Sequence, residues 1–211
     1  MLSAFLRETI ISPKFDRMHE SLITYINRYI SKPLVDSDIE LIKKAFVPKK
    51  IRKKQYLLQA GEVCKYIAFI VKGAMRQYSV DNKGVEHIVG LCIENWWAAD
   101  RESFIMLTPS SYNIDAWEDT DALVMTRADQ VNLYNAVPAM NELSQRLDER
   151  HAFATQKRLN DFISLPSDKR YAHLTKTHPD FIQRFPQHII ASYLGITKET
   201  LSRIRKQSME K

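Results

Sequence analysis

Between His19 and Ile30 the apolar positions Leu22, Ile23, Ile26 and Ile30 recur at three- and four-residue steps. That is the period of a helix with one buried face. Pro33 closes the stretch, and Asp36-Ser37-Asp38 can cap a second helix with Ile39, Ile42 and Phe46 inward. From Pro48 the pattern shortens. Tyr56–Leu58 precedes a turn at Gly61, Tyr66–Val71 precedes Gly73, and Met75–Val80 precedes Asn82-Lys83-Gly84, a hairpin signal. Val85–Ile93, Tyr112–Trp117 and Ala122–Thr126 complete a set whose spacing predicts a compact β-sandwich or barrel. The helical period then returns. Asp129 is a cap for a helix starting near Gln130, and Pro138 opens a longer helix to about Ser164. Along it Met140, Leu143, Leu147, His151 and Ala154 form a stripe, which is either core or a dimer seam. Leu165-Pro166-Ser167 breaks it. A helix from Asp168 to about Thr177 follows, with Tyr171 and Leu174 inward, and His178-Pro179 ends it.

The last patterned stretch is Pro186 to Lys206. Pro186 suits a first helical position, and Ile190 and Leu194 share one face. Ala191 permits a close helix crossing, and Gly195 supplies a left-handed turn. Thr197 can cap a second helix, with Glu199 in its first turn and Leu201 and Ile204 inward. Glu199, Ser202, Arg203 and Lys206 then occupy the opposite face. Arg203 can donate twice to a guanine edge, Glu199 can accept from cytosine, and Lys206 can meet phosphate. His188, Thr197 and Lys198 stand beside them. This reads as a helix-turn-helix; the bland alternative is a helical hairpin with a solvated charged face.

These elements predict an α+β chain. Residues 1–47 supply N-terminal helices, 48–136 the β-sandwich or barrel, 137–164 the long helix, and 165–211 the helix-turn-helix. Charge sharpens the picture. The 211 residues carry a formal net charge of +6, and residues 151–211 hold 11 of the 31 Lys and Arg but 5 of the 25 Asp and Glu. The rest of the chain is balanced, so the excess falls on the patterned C-terminal segment and points to a polyanion, most simply double-stranded DNA. The run Lys49-Lys50-Ile51-Arg52-Lys53-Lys54 reads instead as a solvated strand edge. No apolar run approaches membrane-spanning length, and Arg7 and Glu8 interrupt the N-terminus where a secretory signal would be apolar. Residues 1–17 show little pattern, and Met18 stands as an alternative start. Cys64 and Cys92 have no metal or redox-pair spacing, which suits a cytoplasmic setting.

The order of elements, with Gln59-Ala60-Gly61-Glu62, Ile70-Val71-Lys72-Gly73 and the stretch Leu194 to Ile204, resembles the Crp/Fnr family of bacterial transcription regulators, of which the cyclic AMP receptor protein is one. The wording Glu94-Asn95-Trp96-Trp97 and Ala191 to Thr197 is similar to the version in Bacteroidetes members. The resemblance covers about residues 20–207. It implies an effector-binding β-roll at 48–136 with the helices of 1–47 packed on it, a homodimer through a dimerisation helix at 137–164, and a helix-turn-helix domain at 165–211 whose two copies place recognition helices on a near-palindromic operator. RNA polymerase and an unknown small-molecule effector are further partners open to such a regulator. Two departures matter. Cyclic-nucleotide-binding members hold the ribose with a glutamate and the cyclic phosphate with an arginine. The matching stretch here contains Trp97, Asp100, Arg101 and Glu102 and ends at Ser111 and Tyr112. Asp100 or Glu102 can stand for the glutamate. Ser111 or Tyr112 stands where the arginine is expected, which removes the charge-assisted contact. The expectation is a degenerate pocket that does not bind cyclic nucleotide, with Arg101 as the one cation able to reach in. Two isolated cysteines also cannot ligate an iron–sulfur cluster, so no cofactor is expected. Second, the chain ends too soon for a β-wing, which leaves more of the DNA affinity to Lys198, Arg203, Arg205 and Lys206.

His87 and His151 lack ligand-spaced neighbours and read as structural, and His173 and His178 as helix-end residues facing a dipole. Cys92 reads as buried and inert. No nucleophile motif or phosphate-cradling glycine loop is present, so no enzyme is expected. Two other readings stay open: a small-molecule-binding β-roll whose C-terminal domain contacts protein, and an enzyme on a cupin-like barrel.

Overall fold

A computed structural model of the chain describes residues 13–209. The reading of Arg7 and Glu8 lies outside the described residues. The chain divides into two compact units. Of the described residues, one unit contains those from Pro13 to Met75 and Cys92–Arg146, the other Arg76–Leu91 and those from Leu147 to Met209.

The first unit opens with α1 (Pro13–Asn27) and α2 (Asp36–Ala45). Helix α1 starts earlier than its apolar period, with Asp16 at the favourable end of the helix dipole. The cap expected at Asp36-Ser37-Asp38 is not formed. Val35 is the N-cap, without a side-chain hydrogen bond, and Asp36 and Asp38 lie in the first turn, where their charge still suits the dipole.

Eight strands follow: β1 (Val47–Ile51), β2 (Tyr56–Leu58), β3 (Tyr66–Lys72), β4 (Met75–Val80), β5 (Glu86–Cys92), β6 (Trp97–Ala98), β7 (Asn113–Ala116) and β8 (Thr120–Thr126). They form two four-stranded sheets, the first in the order β1-β8-β3-β6. Strand β8 is central and buried on both faces, which explains its unbroken apolar run Ala122 to Met125. One face of this sheet sends Ala68, Ile70, Ala98, Ala122 and Val124 into a core shared with Leu58, Phe104 and Ile114. The other face carries Phe69 and its cross-strand partner Trp97, on which α1 lays Tyr25, with ring centroids 5.1 Å from Phe69 and 6.1 Å from Trp97. The basic run lies on edge strand β1 and the turn after it, as a solvated edge requires.

Helix α3 (Arg101–Met106) lies between β6 and β7, and α4 (Arg127–Ala136) and α5 (Pro138–Ser164) follow the last strand. Helix α4 begins before Asp129 because Thr126 is the true cap. Its hydroxyl accepts from the Asp129 N–H at 3.2 Å and lies 2.6 Å from the Asp129 carboxylate, so the two residues close the helix start together.

In the second unit the β4–β5 hairpin turns at Asp81, whose carboxylate accepts from the N–H groups of Lys83 at 2.8 Å and Val85 at 3.0 Å. Helices α6 (Ser167–Thr177), α7 (Pro179–Arg184), α8 (Gln187–Tyr193) and α9 (Lys198–Met209) share a core of Leu174, Phe181, Phe185, Ile189, Ile190, Leu201 and Ile204. Helix α7 is an addition to the sequence reading, which ran from His178-Pro179 straight to the final pair. Pro186 is the N-cap of α8 and Gln187 its first helical residue. Among the described residues no helix is long and apolar enough to cross a membrane.

Candidate nucleic-acid interface and effector cassette

Helices α8 and α9 are joined by a tight turn. The Gly195 N–H bonds the Ser192 carbonyl and the Ile196 N–H the Ala191 carbonyl, each at 3.0 Å. Gly195 has φ +66°, the left-handed conformation expected of it. Thr197 caps α9, its hydroxyl accepting from the Thr200 N–H at 3.2 Å. Leu201 and Ile204 are buried, while Glu199, Ser202, Arg203 and Lys206 are exposed on the same helix. His188, Thr197 and Lys198 are exposed on the same helix pair. Arg205 is different. It is half-buried and lines a cleft of about 180 Å³ with Tyr171, Phe185 and Ile190. Its position four residues after Leu201 turns it toward the core side, which the sequence reading of Arg205 as an affinity residue did not capture.

A hydrogen bond from its own backbone N–H, then the Thr197 hydroxyl and the Lys198 charge, hold the Glu199 carboxyl below its ordinary value. It is therefore an ionised acceptor at neutral pH. Burial, helped by the charge of His173, pushes the His178 imidazole down, and its ring stacks on Phe181 at 4.9 Å. His173 itself bonds the Asp161 carboxylate at 2.7 Å, a partner in place of the helix-end dipole expected for it.

The cassette is built around Asp100. This carboxylate is 8% exposed and caps α3 through the Ser103 N–H. Its second oxygen accepts from the Ser110 hydroxyl at 2.6 Å. The Ser103 hydroxyl in turn accepts from the Cys64 N–H at 2.8 Å and lies 2.6 Å from the Thr108 carbonyl. The polar groups of the cassette thus satisfy one another, and Asp100 does not project free, as a glutamate substitute must. Ser103 and Ser110 were missed as members of this network. The signal was the Asp-x-x-Ser capping spacing of Asp100 and Ser103. Arg101, Glu102 and Ser111 are exposed, and Tyr112 is half-buried. Trp97 is a correction. It was expected in the effector pocket, but it shares a sheet face with Phe69 and packs on Tyr25 and Phe46, away from the core side that carries Ala68 and Ala98. Burial pushes the Cys92 thiol up to about 12, in keeping with an unreactive side chain.

The stripe on α5 divides. Met140 and Leu143 are each 1% exposed, buried in the first unit, so they are core residues and offer no surface to a partner. Leu147 is half-buried and Ala154 exposed. The large exposed apolar side chains of α5 are others: Phe153, Leu159, Phe162 and Ile163. Among the described residues no group of His, Cys, Asp and Glu side chains is placed to hold a metal ion.

Residues 48–136 match the family model of the cyclic nucleotide-binding domain. An N-terminal sandwich of this type followed by C-terminal helices gives the chain a Crp/Fnr-like architecture. Solved structures share that fold at low identity. FixK2 from Bradyrhizobium japonicum is 17% identical, over 77% of this chain and 83% of that one, with a TM-score of 0.62. The c-di-GMP-responsive global regulator CLP from Xanthomonas campestris is 12% identical, over 83% and 92%, with a TM-score of 0.65. A CooA mutant from Carboxydothermus hydrogenoformans is 17% identical, over 85% and 81%, with a TM-score of 0.63. No curated protein matches the chain.

Proposed function

We propose that this chain is a homodimeric, sequence-specific DNA-binding transcription regulator of the Crp/Fnr type, not an enzyme. In this reading α8 and α9 are its helix-turn-helix and α9 the recognition helix. The observation that carries it is the division of α9, with Leu201 and Ile204 buried and Glu199, Ser202, Arg203 and Lys206 exposed. The basic excess of residues 151–211 supports it. Selection from a random duplex library, followed by anisotropy titration at several salt concentrations, is the test. A recovered near-palindrome with half-sites one helical turn apart is expected. Failure to enrich any sequence, with weak salt-driven binding to all duplexes, would count against sequence reading and favour a protein-contacting C-terminal domain.

The dimer reading moves along α5. Phe153, Leu159, Phe162 and Ile163 are the large apolar side chains that α5 leaves exposed, and Leu147 is half-buried and Ala154 exposed on the same helix. Leu159→Asp is expected to give monomers by sedimentation and to lose tight operator binding. Leu159 is 58% exposed, so the change spares the fold, whereas half-buried Leu147 would confound the two effects. A Leu159→Asp protein that remains dimeric places the seam elsewhere.

The sandwich carries a degenerate effector pocket in this proposal. A buried phosphate needs a fixed cation or several free N–H donors, and here the Ser103 N–H and the Ser110 hydroxyl are both taken by Asp100. Cyclic AMP and cyclic GMP are expected to bind no more tightly than about 1 mM, because the charge-assisted contact is missing. Titration calorimetry decides it. A micromolar constant, abolished by Arg101→Ala, would assign Arg101 as the phosphate ligand.

A further inference from the structure

The β4–β5 hairpin does not stand apart from the α8–α9 pair; the two belong to one compact unit. Strand β5 is the last strand of its sheet, so one row of its backbone groups has no strand partner. Ser192, in the last turn of α8, occupies that row. Its hydroxyl accepts from the Ile88 N–H at 3.0 Å and donates to the Glu86 carbonyl at 3.1 Å. These are the two groups, on residues i and i+2, that a paired strand would have engaged.

Arg158 of α5 makes the second tie. One guanidinium nitrogen donates to the Val89 carbonyl at 2.6 Å and another to the Tyr193 carbonyl at 3.2 Å, and the group lies 4.1 Å from the centre of the Tyr193 ring. Tyr193 ends α8, so its carbonyl is one of those left without a partner inside the helix. Arg170 takes the next such carbonyl, Leu194, at 3.2 Å. The C-terminal end of α8 is therefore held by β5 and by two arginines. It leads directly into the turn at Gly195 that places Thr197 as the cap of α9. Glu199, Ser202, Arg203 and Lys206 stay exposed in this arrangement, so the contact does not cover the reading face.

We propose that the β4–β5 hairpin is a strut for the recognition helix. Through the positioning residues Ser192 and Arg158 it holds the α8–α9 turn, so that a disturbance in the hairpin is read out as weaker DNA binding. The DNA half of this rests on the function proposed above. The hairpin tip offers a remote lever. The Asp81 carboxylate gathers the Lys83 and Val85 N–H groups and the His87 ring at 2.9 Å, all distant in sequence from α8.

The test is amide hydrogen exchange of the full chain without DNA, paired with anisotropy on the selected operator. Asp81→Ala is expected to speed exchange at residues 189–197 and to weaken operator binding about three- to tenfold, the size expected of exposed polar ties. Exchange in β8 serves as the fold control and stays unchanged. Ser192→Ala gives the same pattern, Ser192→Thr keeps the hydroxyl and restores it, and Asp81→Ala with Ser192→Ala adds nothing beyond either change alone. Unchanged exchange at residues 189–197 in Asp81→Ala, or an additive double variant, overturns the strut. Coupled exchange in a protein that binds no duplex overturns the DNA reading and leaves the mechanical coupling established.

Discussion

Gly73→Ala is expected to cost the sandwich roughly 3–5 kcal/mol, the sum of a strained backbone and an overpacked contact. Gly73 has φ +110°, a conformation that alanine adopts only under strain. A Cβ there would lie 2.5 Å from the Thr120 hydroxyl and 2.7 Å from both the Asp119 carbonyl oxygen and the Thr120 Cα. Two of these three atoms are backbone, so no rotamer change relieves the contact. Thr120 is fully buried and begins β8, the central strand that pairs with β1 and β3. Moving it disturbs both pairings. A domain of this size is stable by only about 5–15 kcal/mol, so the loss is a large share. Denaturant unfolding followed by the fluorescence of Trp96, Trp97 and Trp117 measures it. A midpoint shift equivalent to less than about 0.5 kcal/mol, the range of ordinary surface changes, would show that β8 gives way freely.

Arg203→Ala should weaken specific operator binding by about 1–3 kcal/mol and relax specificity at one base pair, as loss of a bidentate base contact does. The side chain is exposed and held only loosely, with one guanidinium nitrogen 3.3 Å from the Thr200 hydroxyl, so the free protein has little to lose. Lys206→Ala should behave differently. It should weaken binding to every duplex alike and flatten the salt slope by about one unit, the signature of a lost phosphate contact. Affinity measured on the operator and on single-base variants, at several salt concentrations, separates the two. Equal losses for both variants on all sequences would remove base reading from Arg203. Glu199 is ionised at neutral pH and its carboxyl sits below its ordinary value, so any contact it makes to cytosine should hold until acid conditions.

Local signals carried much of the architecture. Pro138 and Leu165-Pro166-Ser167 bracketed α5 correctly, because proline punctuates a helix whatever surrounds it. The 3.6-residue period of α9 separated Leu201 and Ile204 from the exposed face before any packing was known. The same reasoning failed where an element is shorter than its own period. A two-residue strand such as β6 has no alternation to read, and only its register with β3 decides which face Trp97 takes.

What the sequence by itself determined was therefore periodic and local: most of the longer helices and strands, where α5 begins and stops, and which side of α9 is polar. What only the tertiary structure decided was the identity of the neighbour. The α5 stripe reads alike at Met140 and at Ala154, yet the first is core and the second is exposed. Asp100 reads as a ligand substitute until Ser110, ten residues on, is seen to donate to it. The hairpin reads as part of the sandwich alone until Ser192 is found on the edge of β5, more than a hundred residues away. Periodicity assigns a residue to a face, but contact partners depend on chain closure over long loops, and nothing local encodes that.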